Sequence, residues 1–444
     1  MMHLNNTVYK QLPNIMRWLI IYLVATILLC FFGPIEWNIR NSGLVVFYLA
    51  CYMIALKVGY DVGFRKKVKE PMNSAQDVSR RDLSFINKLL IIGIVFNILL
   101  AVRMSNSLSI SAILTNITNG LFAPAEQYRQ FHEAASSGYL HGGNWFSLLI
   151  TFGQPCSIAS LILAIFYYPQ LSKGLKALTW SAFVVHLAVK FIAAANEGVF
   201  DTFIYIGVAY YLRTINQSFY VTKLKRKIRK VVVLVTIALL AVVALSYFTQ
   251  NILGRTDGNF AFGTLGENYF KEDSKILQYI PEPLVVTFVY LSVYVCEGYY
   301  GFALSTTVDW VPMYGAGFSS FIRNNLSDIL DVDLLQYTYQ GRIEQIASWG
   351  ALKNFHSAYT FWANDVGHFG VVFVMFLIGY LFARYYLRSV LLCSKAAIVM
   401  MPLLVTLVFY LPSNNKIFAQ PASFLLVFVI LAYDIFKKKK KGVR

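Results

Sequence analysis

LVVTFVYLSVYVCEGYYGFALS, residues 284–305, decides how this chain is threaded. It is apolar and long enough to cross a bilayer as a helix, which takes roughly 20 residues. If it crossed, the lysines at 437–441 would lie on the opposite side from the other basic clusters, and Arg384 and Arg388 would follow them. Short loops rich in Lys and Arg mark the cytoplasmic face, so parity argues against a crossing. We read 284–305 as a re-entrant or amphipathic piece that lies on the membrane or dips into it. Backbone of that kind is tolerated at membrane depth where protein covers it or a wet cavity adjoins it. Its Glu297 and the Gly-Tyr-Tyr-Gly at 298–301 suit a cavity wall. In the competing arrangement the segment spans and a further crossing hides near 304–322.

Working outward, apolar runs predict ten spans, at about 17–35, 42–64, 85–104, 145–169, 179–196, 199–213, 231–253, 368–386, 396–412 and 420–436. Only 14% of the 444 residues are charged and 57% are hydrophobic, which places the chain among polytopic membrane proteins. Of the 39 Lys and Arg, 26 follow every second span or flank the termini, ten fall on the other face, and Lys57, Lys88 and Lys190 lie within spans. That asymmetry accounts for the net charge of +17 without nucleic acid as a partner. It sets both ends inside. The first run follows Lys10 and Arg17 without a small-residue cleavage site, so it reads as an uncleaved helix. Cys30, Cys51, Cys156 and Cys393 lie in or beside apolar runs, and no disulfide framework is implied. The expected architecture is an all-α polytopic membrane protein of about 10–12 spans. A first bundle, 1–253, carries an outer loop at 105–144; a large outer loop covers 254–367; and 368–444 holds the last spans and a basic tail.

The unusual residues gather on the outer face: Arg129 in the shorter loop, then Arg255, Glu297, Arg323, Arg342 and His356 in the larger. Guanidinium groups are always charged and grip phosphate bidentately, so such a cluster points to an anionic ligand. The bland reading pairs them with Asp257, Asp328, Asp331, Asp333 or Glu344. Lys190, about eleven residues into its predicted span, with His186 one turn before and Glu197 two turns after, is a functional candidate for a ligand or an ion pair with Glu197. Asp331-Val-Asp333 has the metal-binding Asp-x-Asp spacing of some glycosyltransferases but lacks placed His or Glu to complete a shell. There is no P-loop, Cys/His zinc pattern or serine nucleophile elbow.

His356, Ser357, Tyr359, Gly367 and Gly370, in HSAYTFWANDVGHFG at 356–370, resemble the pattern that ends the large periplasmic loop in the O-antigen ligase and Wzy-type polymerase superfamily. EGYYGFALSTTVDWVPMYGAGFSS at 297–320 is similar to the Gly-Tyr-Tyr and Tyr-Gly-x-Gly-x-Ser stretch of Wzy-type repeat-unit polymerases. Arg255 and Gly266 fit an Arg-to-Gly spacing that some of these polymerases show in two loops, whereas Arg129 meets Leu140 at that distance. The resemblance implies a GT-C-like membrane glycosyltransferase of the bacterial inner membrane with its site facing the periplasm. It would join undecaprenyl-pyrophosphate-linked repeats, beside a chain-length regulator protein, and need no cofactor or metal. His356, Arg255 and Glu297 would then be catalytic, and Arg129, Arg323, Arg342, Lys190, Tyr299 and Asp365 would hold pyrophosphate or glycan. Asp365 and His368 would orient His356, and Gly367 and Gly370 would let the following helix pack closely. A ligase differs only in its acceptor. A flippase for the same lipid-linked repeats would need no outer loop of this size.

Overall fold

The computed structural model describes residues 6–68, 70–136, 145–194, 196–220, 223–256 and 265–442. The described residues are 78% helical. After α1 (Asn6–Gln11) come α2 (Ile15–Phe32), α3 (Ser42–Arg65) and α4 (Arg80–Ser105). The shorter outer loop folds into α5 (Ile110–Phe122) and α6 (Pro124–Ser136). Then follow α7 (Trp145–Phe166), α8 (Lys173–Ala193), α9 (Asn196–Ser218) and α10 (Lys223–Thr256). The larger loop contains α11 (Glu282–Ser305), α12 (Ser320–Leu330) and α13 (Tyr339–Ala347), and the chain closes with α14 (Ala358–Leu392), α15 (Lys395–Tyr410), α16 (Lys416–Ala419) and α17 (Pro421–Gly442). All ten apolar runs are therefore helices. Among the described residues, seven helices have the length and composition to cross a membrane, and α11 is one of them.

Segment 284–305 is neither a re-entrant pair nor amphipathic. It lies within one unbroken helix that buries residues on several sides, among them Val289, Val293, Cys296, Tyr299, Tyr300 and Phe302. It packs against three spans in turn. At its start, Thr287 meets Thr249, seven positions before the end of α10 (2.7 Å). Three-quarters of the way along, the Tyr299 hydroxyl lies 2.9 Å from Thr26, two-thirds along α2. Near its end, Phe302 packs on Tyr48 and Tyr52 in the first half of α3. Along the α11 length of about 36 Å, contacts thus run from the last quarter of α10 to Thr26 of α2 and to the first half of α3. Gly298 tightens this arrangement, since a Cβ there would stand 2.3 Å from the Pro412 carbonyl oxygen.

A two-residue ladder, Ile35–Glu36 against Tyr269–Phe270, ties the α2–α3 connection to the larger loop, reinforced by Lys271–Glu36 at 2.6 Å. The tightest helix pair is α3 with α14. A Cβ on Gly59 would sit 2.0 Å from the Phe376 carbonyl oxygen, one on Gly63 2.7 Å from that of Tyr380, and one on Gly379 2.0 Å from that of Leu56. Small residues four apart allow backbones to approach where lipid gives no hydrophobic drive for association. Gly59→Val should therefore force the two helices apart and cost about 3 kcal/mol, the upper range for overpacking. Thermal unfolding in detergent checks this; an unchanged melting temperature contradicts it.

Candidate active site

The 356–370 stretch is a scaffold for the loop around it. Asp365 accepts three backbone N–H groups, from Gly315 (2.7 Å), Gly317 (3.1 Å) and Phe318 (2.7 Å). Its neighbour Asn364 accepts from the Tyr339 N–H and donates to Gly317 O and Gln340 Oε1. The Tyr-Gly-x-Gly-x-Ser turn is thus folded around a carboxylate, with Gly315 at φ +92°. Gly367 breaks α14 (φ +67°, ψ 166°), a conformation open to glycine alone. It turns the chain rather than admitting a neighbouring helix, and a Cβ on Gly370 would meet Val366 of its own helix. His368 sits beside Ser305 and against the Tyr339 ring, 4.9 Å between centroids. Neither Asp365 nor His368 touches His356.

His356 is 2% exposed. Its Nε2 lies 3.4 Å from Gly350 O, and a carbonyl can only accept, so that nitrogen carries the proton. Its Nδ1 has no hydrogen-bond partner among the described residues and faces Gly301, where a Cβ would come within 3.0 Å of it. Glu297 accepts from Asn354 Nδ2 (2.9 Å) and Phe355 N–H (3.1 Å), and Tyr299 bonds Thr26. Glu297 thereby docks residues 354–356 onto α11, and Tyr299 ties α11 to α2. Burial pushes the His356 imidazole down to about 4, against the hydrogen bond to Gly350. Above about pH 6.5 it is neutral in folded and unfolded chains alike. As pH falls from there towards 4, the unfolded chain takes up the proton and the folded one does not, so stability drops by about 3 kcal/mol at most. Melting at pH 7.5 and 4.5 should show a larger acid loss for the wild type than for His356→Gln; equal losses contradict the assignment.

The arginines do not converge. Arg129 pairs with Glu126 on its own helix. Arg323, 3% exposed, donates to Asn324, and burial lowers its pKa despite nearby Asp333. Arg342 stacks at 5.3 Å over Tyr339, with one guanidinium nitrogen buried and unpartnered. The side chain of Arg255, and Asp257, lie outside the described residues. Asp331 closes α12 at φ +51° and Asp333 caps the Leu335 N–H. Among the described residues no group of three His, Cys, Asp or Glu could hold a metal ion.

Of the predicted site residues, Lys190 lines a large cavity, and Phe355 reaches it from the docked loop. The space is about 620 Å³, walled by aromatics that include Tyr128, Phe131, Phe248, Tyr294 and Phe409. Its polar part holds Lys190, Glu197, Asp201 and Lys416. The α8–α9 turn that carries the first two is fixed from both sides: Gln127 Nε2 donates to Ile192 O (2.9 Å) and Asn251 Nδ2 to Ala194 O (2.9 Å). Ser172 caps α8, so the helix begins at Lys173 and Lys190 stands in its last turn rather than deep in a span. Its stem lies over Gly198, where a Cβ would come within 2.8 Å. Glu197 forms its ion pair with Lys416 instead of Lys190, and Asp201 lies 3.8 Å from the same ammonium. Lys416 is 6% exposed; burial opposes its charge, but the two carboxylates outweigh that and hold its pKa up. Lys190 has no ion-pair partner among the described residues, and Asp201 Oδ1 is buried without a hydrogen-bond partner.

Sequence reading singled out neither Lys416 nor Asp201. The available signal was a carboxylate one turn after Glu197 within an apolar run, which membrane segments tolerate only with a partner. Arg129, Arg323, Arg342, Glu297, His356 and Asp365 are absent from the cavity wall. No protein-family model, curated protein or solved structure matches this chain, so the site is read from its geometry.

Proposed function

We propose that this chain is a Wzy-type repeat-unit polymerase, joining undecaprenyl-pyrophosphate-linked oligosaccharides at the outer face of the bacterial inner membrane. The observation that carries the reading is the cavity, where an aromatic wall suited to an isoprenoid chain and sugar meets a lysine with no ion-pair partner among the described residues. Its residues lie towards the helix ends remote from the basic loops, where two lipid-anchored substrates can meet. In the proposed step the acceptor sugar's hydroxyl oxygen bonds to the anomeric carbon of the growing chain. The bond from that carbon to pyrophosphate breaks, and its electron pair leaves on the pyrophosphate, whose charge Lys190 offsets. The hydroxyl proton passes to the carboxylate of Glu197, the more open of the two acids on Lys416. Asp201 fixes Lys416, and His356, Glu297 and Asp365 position Phe355 and the loop. A chain-length regulator protein would act from the same side.

The charged group inside the bundle also favours a second reading, a flippase for the same lipid-linked glycans. Both predict a polyprenyl pyrophosphate in the cavity. A photoreactive polyprenyl-pyrophosphate analogue should crosslink to α6, α8 and the Phe355 loop, and unlabelled lipid-linked repeat should compete. Labelling confined to the exposed Leu234, Leu239 and Val242 of α10, away from Phe248, contradicts the assignment.

A further inference from the structure

The face of α8 that carries Lys190 also carries His186, four residues earlier, and both line the cavity. Behind His186 runs a buried chain of polar groups from two other helices. Asn97 of α4 donates to Ser157 Oγ of α7 at 2.7 Å, and that oxygen lies 3.0 Å from His186 Nδ1. All three are almost wholly enclosed, at 2%, 1% and 3% exposure. Ser157 Oγ accepts from Asn97 and can give its own proton to Nδ1. In the tautomer that this arrangement favours, the ring proton sits on Nε2 and His186 is a neutral N–H donor on the cavity wall, one turn from an ammonium with no ion-pair partner among the described residues.

We propose that His186 is a phosphate-binding residue: its Nε2–H and the Lys190 ammonium together grip a phosphate or pyrophosphate group, with Asn97 and Ser157 holding the imidazole in the donating tautomer. The inference rests on reading the cavity as a lipid-pyrophosphate site and adds a residue and a device to it. A neutral donor suits a site that must release its anion after each transfer, because it orients oxygens without adding a second full charge. The same chemistry would accept a bilayer phospholipid headgroup, so the test separates the two sources.

Full-length protein in phosphatidylcholine nanodiscs is titrated with inorganic pyrophosphate, and a parallel set of nanodiscs contains phosphatidylglycerol without pyrophosphate. His186→Asn keeps an amide near Nδ1 but nothing at Nε2; His186→Gln places a donor near Nε2. The wild type should bind pyrophosphate, His186→Asn should lose about tenfold or more in affinity, the worth of one charge-assisted hydrogen bond, and His186→Gln should stay within about threefold. Ser157→Ala should fall between, with melting temperatures of the two His186 variants alike. Equal binding by His186→Asn and wild type, or equal loss in both His186 variants, overturns the proposal. Stabilisation by phosphatidylglycerol with no pyrophosphate binding overturns the pyrophosphate assignment. A wild type that binds pyrophosphate through His186 yet makes no polymer sinks the polymerase reading and leaves the clamp standing, whereas active polymerisation with His186-independent binding sinks the clamp alone.

Discussion

Lys416→Met should lower the stability of the folded protein by about 3–5 kcal/mol, the cost of removing one partner of a buried ion pair. The variant leaves Asp201 enclosed without its nearest counter-charge, with only the more distant Lys190 in its place and Oδ1 without a hydrogen bond among the described residues, and takes from Glu197 the ammonium it pairs with. Neutralising the acids reverses the argument: Lys416→Met combined with Asp201→Asn should regain a large part of the loss, since an amide is far cheaper to bury than an unpaired carboxylate. Thermal unfolding of the purified variants measures both effects. A single variant as stable as wild type would show that the group is open to water and that the cavity's polar end is not built as described. Polymer should be lost in either variant, because α16 no longer holds Glu197.

Lys190→Gln separates binding chemistry from folding. The side chain lies along the cavity with no ion-pair partner among the described residues, so the fold should tolerate the amide. Loss of the charge facing the departing pyrophosphate should slow transfer by about 10²–10³-fold, the usual effect of deleting one electrostatic contact to a developing anion. Glycan length and transfer rate, compared at equal protein abundance, check this. Near-normal rates with normal abundance would remove Lys190 from the mechanism.

The long helices were legible because each is a long apolar run, and among the described residues six of the ten have the length and composition to cross a membrane; the orientation rests on the distribution of Lys and Arg alone. Charge parity argued that 284–305 does not cross, whereas its length and composition are those of a crossing helix. That it is one continuous helix packed on α10, α2 and α3 depends on contacts such as Thr287–Thr249 and Tyr299–Thr26, which no local pattern encodes. The 356–370 stretch was recognised as special, yet its polar residues bind backbone: Asp365 folds the 313–319 turn, and His356 fills the space that Gly301 leaves open. Motif residues in a loop can serve shape as readily as chemistry. The ion group at the cavity escaped sequence reading because Asp201 and Lys416 come from opposite halves of the chain, and Lys416 reads as one more outer-loop lysine until α9 and α16 are brought together. The close approach of α3 and α14 was also written in the sequence, as Gly59 and Gly63 four apart.

Purified protein given defined, synthetic undecaprenyl-pyrophosphate-linked repeat units as both donor and acceptor, with no lipid A core present, tests the central claim most directly. The account predicts a ladder of products rising by whole repeats, with release of undecaprenyl pyrophosphate in step and both abolished in Lys190→Gln. Unchanged single repeats from active-site-intact protein, or a ladder undiminished in Lys190→Gln, would contradict it.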